Sequence, residues 1–311
     1  MRKFNLKGNV ADRMKGIPLE DPVPATETET KPEKELMNPG FTEEQGQFQC
    51  AWRTDVGKLR KNNQDAVILG NGLAGVADGM GGHNGGEIAS AGLRDGLLRE
   101  TKDLLPDGEA LKEAVRKVNY ELWEQQENDA SLSGMGTTLT VLWPSKGKMI
   151  IGQIGDSRAY LFRNGELSQV TNDHSMVADM VRKGVLTEEQ AACHPMRNYI
   201  TRAVGTETMI EVDMSVHDRK KGDRWLICSD GLHGTVFGDE LIQMMMNENL
   251  DEAADKMLQA ALNAGGKDNI SLILLQDDTD DSDSEDNNTE DTENEAEASV
   301  DKESSEEVNC P

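Results

Sequence analysis

The stretch Ala159-Tyr160-Leu161-Phe162-Arg163-Asn164-Gly165-Glu166-Leu167-Ser168-Gln169-Val170 carries the decisive local signal. Two runs of β-forming residues flank an Asn-Gly pair, and both of those residues readily take the positive φ that a two-residue hairpin turn demands. Antiparallel pairing is therefore present. Short β-rich runs lie on either side, at 46–52, 66–69, 73–77, 137–143, 149–154, 224–228 and 270–276, bounded by Gly, Asn and Asp as strand ends are. Helical patterns come in pairs. The first pair is 86–101 and 108–126, the latter with Leu111, Val115, Val118 and Leu122 on one face; the second, 239–247 and 251–264, precedes the last strand. Clustered strands with helices inserted in pairs predict an α+β sandwich rather than alternating βαβ units. No internal repeat is apparent.

The chain has 311 residues, with 32 Lys and Arg against 58 Asp and Glu, a net charge of −26. Such acidity excludes the basic profile of a nucleic-acid binder and disfavours docking on anionic membranes. The excess is concentrated at the C-terminal end, where 277–311 holds 16 acidic residues and the single Lys302. That run repels itself and reads as a disordered acidic tail. Its alternate acids from Asp278 resemble EF-hand spacing, but neither the sixth-position Gly nor the twelfth-position acid is there. Residues 1–40 balance seven basic against seven acidic side chains, and 18–39 mixes Pro, Thr, Glu and Lys with few large apolar groups. Burial there cannot offset the entropy of ordering, so 1–40 reads as an N-terminal extension that acts as a flexible linker. The expected organisation is 1–40 extension, 41–276 catalytic-sized domain, 277–311 tail. No run of 18 apolar residues occurs, and the basic start is not followed by the apolar stretch of a signal peptide, so a cytoplasmic location is expected. The four cysteines include no Cys-x-x-Cys pair, which fits reduced thiols.

The aspartates are the informative feature. Apolar runs end in Asp beside Gly or Ser at Val76-Ala77-Asp78-Gly79, Ile154-Gly155-Asp156-Ser157 and Ile227-Cys228-Ser229-Asp230-Gly231, and Lys267-Asp268-Asn269 comes just before the final strand. Asp is depleted in strands, and an unpaired carboxylate at the mouth of a buried sheet is costly, so four such placements call for a shared counter-charge. A hard divalent cation, Mg2+ or Mn2+, prefers oxygen ligands and keeps several waters, in keeping with the absence of a His/Cys cluster.

The ordered set Arg60-Lys61-Asn62-Asn63-Gln64-Asp65, Ala77-Asp78-Gly79-Met80-Gly81-Gly82-His83, Gly136-Thr137-Thr138, Gly155-Asp156-Ser157-Arg158, Ser229-Asp230-Gly231 and Asp268-Asn269 resembles the bacterial branch of the metal-dependent protein serine/threonine phosphatases, the PPM or PP2C family. The resemblance spans roughly 47–276. It implies a β-sandwich of two antiparallel sheets flanked by pairs of antiparallel helices, in agreement with the strand and helix reading. It also implies hydrolysis of phosphoserine and phosphothreonine by a hydroxide bridging two Mn2+ or Mg2+ ions about 4 Å apart, without a covalent intermediate. By similarity Asp78 bridges the two ions, Asp230 and Asp268 complete one, and the Gly79 carbonyl contributes to the other, where a side chain would hinder close approach. Asp65 acts on metal-bound water, and Asp156 with Asp230 holds a third, weaker ion. Arg60 grips the phosphoryl oxygens through its planar fork, and His83 is a candidate proton donor to the leaving oxygen. The spacing of His83 departs from eukaryotic members, and Gln64 stands where many members have Glu, which predicts weaker metal binding rather than inactivity. Residues 173–198, with helical stretches at 176–184 and 187–193, resemble the flap beside the family's active site, making His174 and His194 structural or substrate-facing. The expected partners are phosphoproteins, among them a Ser/Thr kinase and its substrates, with the chain itself monomeric.

Rival chemistries fit poorly. A cysteine phosphatase needs Arg six residues after its nucleophile, where this chain has Val56, Tyr199 and Gly234. The loop from Gly79 lacks the last Gly of a dinucleotide fingerprint, since Asn84 replaces it, and Gly265-Gly266-Lys267 is no P-loop. The alternative function is a catalytically weak phosphoprotein-binding regulatory module on the same fold. Lost metal aspartates would mark it, and Asp65, Asp78, Asp230 and Asp268 are all present. A third option is an enzyme devoted to one regulatory phosphoprotein.

Overall fold

A computed structural model describes residues 39–43, 45–81 and 85–279. The N-terminal extension up to residue 38, the tail from 280 and His83 lie outside the described residues.

Two antiparallel sheets pack face to face. One has the order β1 (Phe48–Asp55), β11 (Ile270–Asp277), β10 (Arg224–Cys228), β7 (Arg158–Arg163), β8 (Glu166–Gln169). The other runs β2 (Asp65–Gly70), β3 (Leu73–Met80), β5 (Leu139–Ser145), β6 (Lys148–Ile154), β9 (Asp213–Asp218), with the two-residue β4 (Gly136–Thr137) pairing the end of β3. The strand period of two sorts side chains between faces. Trp225, Ile227, Ile273 and Leu275 of one sheet meet Ala74, Val76, Leu142 and Ile151 of the other in the central core. Their neighbours Leu226, Cys228, Leu272 and Leu274 point outward under α6 (Gly238–Met245) and α7 (Leu250–Asn263). On the opposite face Ile68, Leu73, Val141 and Ile150 are covered by α1 (Gly85–Thr101) and α2 (Gly108–Asn128). The helix pairs read from the sequence are these, arranged as the outer layers of a four-layer sandwich.

The hairpin from which the sequence reading starts is β7–β8, with Asn164 at φ 54° and Gly165 at φ 85°. Several boundaries differ from expectation, each for a local reason. β1 runs on past Trp52 because Arg53, 2% exposed, is neutralised by Asp255 at 2.6 Å and Asp251 at 3.0 Å on α7 and donates to Trp52 O at 2.7 Å. β3 continues through Asp78 to Met80 because β4 supplies it with a partner; Asp78 lies within the strand rather than at its end. The run 137–143 breaks at Thr138, whose side chain serves the site described below. β9 was not anticipated, since it is a partly exposed edge strand, Asp-Met-Ser-Val-His-Asp, without a clean apolar alternation.

The last strand and its contacts run on past Gln276. Asp277 is the last residue of β11, 1% exposed, and takes Arg219 Nε at 2.7 Å. Arg219, itself 3% exposed, also donates to Gln45 O and to Ser145 O at 2.8 Å and lies 4.4 Å over the Phe48 ring. Asp278 N–H donates to Gln47 O at 2.8 Å, and Thr279 Oγ1 accepts from Gln47 N–H at 3.0 Å. At the other end Pro39 O accepts from Gly72 N–H at 2.8 Å. The described fold thus closes on itself at the edge remote from the aspartates. Among the described residues no helix is long and apolar enough to cross a membrane.

Candidate active site

The aspartates meet at one end of the sandwich. Asp65 opens β2 and faces Asp78 on β3 as its direct cross-strand partner. Like charges in that position destabilise a sheet unless something lies between them. Asp156 sits in the turn after β6, Asp230 begins α5 (Asp230–His233) just after β10, and Asp268 lies in the loop before β11. Both sheets therefore contribute, and the Asp78 carboxyl is within electrostatic reach of Asp65, Asp230, Asp156 and Asp268.

The backbone around these groups is held by short polar side chains. Ser229, fully buried, donates its hydroxyl to Asp65 Oδ2 at 2.8 Å and accepts Ser271 N–H at 3.0 Å. Thr138 Oγ1 accepts Asp78 N–H at 2.9 Å and is hydrogen-bonded to Ser157 Oγ at 2.9 Å, joining β3 to the turn that carries Asp156. Asn269 clamps the loop between β1 and β2, donating to Val56 O and Asn62 O at 3.0 Å and accepting Gln64 N–H at 2.8 Å. Gly79 is also constrained by packing. A Cβ there would stand 2.0 Å from Gly86 O and 2.5 Å from Gln64 O, so the glycine is needed for the start of α1 and the loop before β2 to press against the strand.

The electrostatics are unusual for carboxylates. Burial, only partly offset by hydrogen bonds from Ser271 and Ser229, pushes Asp65 up to about 7, with Asp230 and Asp268 adding repulsion. Burial and then Asp230 raise Asp156 to about 7; burial and then Asp268 raise Asp230 to about 6. Asp78 is raised well above the ordinary range by burial and by Asp65. One oxygen, Oδ1, on each of Asp65, Asp156 and Asp230 is buried with no hydrogen-bond partner. Buried acceptors without donors are costly, and a bound cation would satisfy them. A donor set of carboxylate oxygens suits Mg2+ or Mn2+, which keep waters in their shells, better than Zn2+. The residues present fit oxygen-loving divalent ions. Arg60 is half-exposed at the rim, its Nη2 donating to Asp268 Oδ2 at 2.7 Å.

A cavity of about 500 Å3 opens beside Asp156 and Asp230, walled by α3 (Met176–Arg182), α4 (Glu188–Ala192), Arg197 and the exposed ring of Phe237. His174 anchors this flap: its Nδ1 accepts Gly155 N–H at 3.1 Å and its Nε2 meets Asp213 Oδ2 at 3.1 Å, so the neutral ring holds the turn before Asp156. Burial lowers its pKa accordingly. His194 is local, its Nδ1 accepting Met196 N–H at 3.2 Å.

The structure brings together Asp65, Asp78, Gly79, Asp156, Asp230 and Asp268 with Arg60 at their edge; His83 is outside the described residues. Sequence reasoning assigned no role to Ser229, Thr138 or Asn269, although each lies inside a quoted motif, and it passed over His233. His233 stands one helical turn after Asp230 and bonds through Nε2 to Asp156 O at 3.0 Å, with burial lowering it to about 3. The i, i+3 spacing from Asp230 is the signal that could have found it.

Known proteins resemble this chain in sequence and in fold. The family described as Protein phosphatase 2C matches residues 59–274. The serine/threonine protein phosphatase PstP of Mycobacterium tuberculosis is 39% identical over 227 residues, 72% of this chain but 44% of PstP's own length. The serine/threonine phosphatase stp of Listeria monocytogenes is 37% identical over 239 residues, 73% of this chain and 95% of that protein. Among solved structures, the catalytic domain of PstP in complex with two manganese ions has a TM-score of 0.68 at 36% identity, covering 74% of this chain and 97% of that one. In sequence and in fold alike, the chain belongs to the protein phosphatase 2C family, on its bacterial serine/threonine phosphatase branch.

Proposed function

We propose that this chain hydrolyses phosphoserine and phosphothreonine in proteins with the help of two Mn2+ or Mg2+ ions, and that it opposes a bacterial Ser/Thr kinase. The observation that carries the reading is the convergence of five carboxylates, three of them with an unpartnered buried oxygen, beside a half-exposed arginine. Asp78, Asp230 and Asp268 with the Gly79 carbonyl would hold the ions, Asp65 would orient water, and Asp156 with Asp230 would hold a third, weaker one. Bound there, divalent cations supply Lewis-acid charge and make water available as hydroxide near neutral pH.

The remaining work falls to the chain's own groups. Arg60, half-exposed and paired with Asp268, would exchange that carboxylate for phosphate and grip two phosphoryl oxygens through its fork. Ser229 keeps Asp65 in place, since its hydroxyl bond favours the carboxylate over the neutral acid. His83 is positioned in sequence to protonate the departing serine or threonine oxygen. The flap and Phe237 flank the cavity through which a peptide segment reaches the carboxylates.

The test is hydrolysis of p-nitrophenyl phosphate and a phosphothreonine peptide with Mn2+, Mg2+ or EDTA, by the wild type and Asp230→Asn. Activity that needs the cation and disappears in the folded variant is expected. A folded wild type inert with both cations refutes the reading.

A further inference from the structure

β7 and β10 lie side by side in one sheet, and their ladder ends with Cys228 opposite Arg158. Continued by two residues, that register would set Asp230 opposite Asp156, two like charges on facing backbone. The ladder stops instead. The chain turns into α5 at Asp230, and from the far end of this single helical turn His233 reaches back through Nε2 to Asp156 O at 3.0 Å. A carbonyl only accepts, so Nε2 carries the proton and donates it. The rest of the turn around Asp156 is held by its own sheet and by the flap. Gln153 Nε2 donates to Gly155 O at 3.0 Å and to Ser157 O at 2.8 Å, Thr140 Oγ1 donates to Ser157 O at 3.0 Å, and His174 Nδ1 accepts Gly155 N–H. Of these bonds, only the one from His233 comes from the segment that carries Asp230. α5 is itself fixed: Leu232 is fully buried, Gly234 N–H donates to Asp230 O at 2.8 Å, and a Cβ on Gly231 would stand 2.0 Å from Asn269 O. Asp156 and Asp230 each keep Oδ1 buried without a hydrogen-bond partner, and both line the cavity together with His233.

We propose that His233 is a positioning residue, whose bond to the Asp156 carbonyl sets the separation of the Asp156 and Asp230 carboxylates and with it the affinity for the weaker, third cation. The proposal rests on the reading above that these two aspartates hold that ion. Two buried carboxylates repel each other when no cation lies between them, and a bond across the gap keeps the segments that carry them from spreading. The pair is then assembled by the fold before the ion arrives, so less of the ion's binding energy goes into gathering its ligands. The effect is local. In that reading Asp156 serves the third ion alone, whereas Asp78 and Asp268 lie on β3 and in the loop before β11, and Asp230 stays anchored through the buried contacts of α5. Loss of the His233 donor therefore frees the Asp156 side of the pair. An imidazole suits the task because it presents its N–H on a short, planar arm, which loses less rotamer freedom on bonding than a long amine or amide does.

The test is a titration of the metal-free full chain with Mn2+ alone, followed by the electron paramagnetic resonance of free Mn2+, which gives the number of bound ions and their affinities without turnover. The wild type should bind two ions tightly and a third more weakly. His233→Leu and His233→Ala both remove the donor, one keeping side-chain bulk and one reducing it, and each variant that retains the wild-type far-ultraviolet circular dichroism is titrated. Either should weaken the third ion about 10-fold, the effect of losing one hydrogen bond to a buried carbonyl, and leave the tighter two within about 2-fold. His233→Gln, whose amide N–H has comparable reach, should recover most of that loss. In an Asp156→Asn background, which already lacks the third ion, adding His233→Leu should not change the binding of the other two. A wild type that binds only two ions, a third ion indifferent to the loss of the donor, equal weakening of all three, or a Gln variant no better than Leu overturns the proposal. A folded chain that binds three ions with this dependence on His233 and yet hydrolyses no p-nitrophenyl phosphate would leave the positioning role intact and refute the phosphatase reading.

Discussion

Removing divalent cations should make the domain increasingly fragile as the pH rises from 5 to 8. Asp65 and Asp156 are raised to about 7 and Asp230 to about 6, each first by burial. A carboxyl whose pKa is higher in the folded than in the unfolded chain holds more protons in the native state. Its contribution is full below the unfolded value near 4 and is lost as the pH climbs through the folded one. For Asp65, the two pH units between 5 and about 7, at about 1.4 kcal/mol each, amount to about 3 kcal/mol. Asp156 behaves similarly, and the partial opening of the cleft to solvent makes the total, about 5 kcal/mol, an upper figure. At about 2–4 °C per kcal/mol for a domain of this size, that is a fall of roughly 10 °C. His174 and His233, whose pKa values burial lowers, act in the opposite sense as the pH rises to about 6.5, but they do so with and without cations and cancel in the difference. The assay is therefore the gap in Tm between millimolar Mn2+ and EDTA, measured at half-unit steps. The gap should widen steadily from pH 5 to 8. A gap already at full size at pH 5 would mean ordinary carboxylates with pKa values near 4, and the account of the cluster would fail.

Further outcomes are expected. Gly79→Ala should cut kcat/KM at least about 100-fold, because its Cβ would stand 2.0 Å from Gly86 O and displace the metal-facing strand by about 1 Å; wild-type rates would refute the packing argument. Ser229→Ala removes a bond that lowers Asp65, so the acid limb of the pH–rate profile should move up by about one pH unit while far-ultraviolet circular dichroism stays unchanged. Arg53→Ala should cost about 2–4 kcal/mol in urea unfolding without changing KM, since the guanidinium is buried under α7, away from the site. Cys50 and Cys228, both pushed up to about 12 by burial, should react with a thiol reagent only on unfolding, whereas the exposed Cys193 reacts in the native protein.

Much of the architecture is legible in the sequence because its elements announce themselves locally. Asn164-Gly165 fixes a hairpin by its backbone preferences, and Leu111, Val115, Val118 and Leu122 mark one buried face of α2. The aspartates are legible for the opposite reason, being residues where a strand should not have them. What was hidden depends on contacts distant in sequence. β1 continues through Arg53 only because Asp251 and Asp255, some two hundred residues on, neutralise it. Asp277 looks like the first residue of a solvated tail until Arg219 is placed against it. The work of Ser229 and Thr138 is likewise invisible in a linear reading, since a serine or threonine at a strand end is ordinary until its acceptor comes from another strand.

The position of β11 has a consequence for how the protein comes into being. It is the last strand among the described residues, yet it lies between β1 and β10, bonded to both. During synthesis the first strand waits, with its partner edge open, until residues 270–277 have been made. Asp268 reaches its neighbours only when that strand inserts. A ribosome-bound chain lacking this strand thus has most of its mass but an incomplete carboxylate cluster, because Asp268 is not yet held beside Asp230.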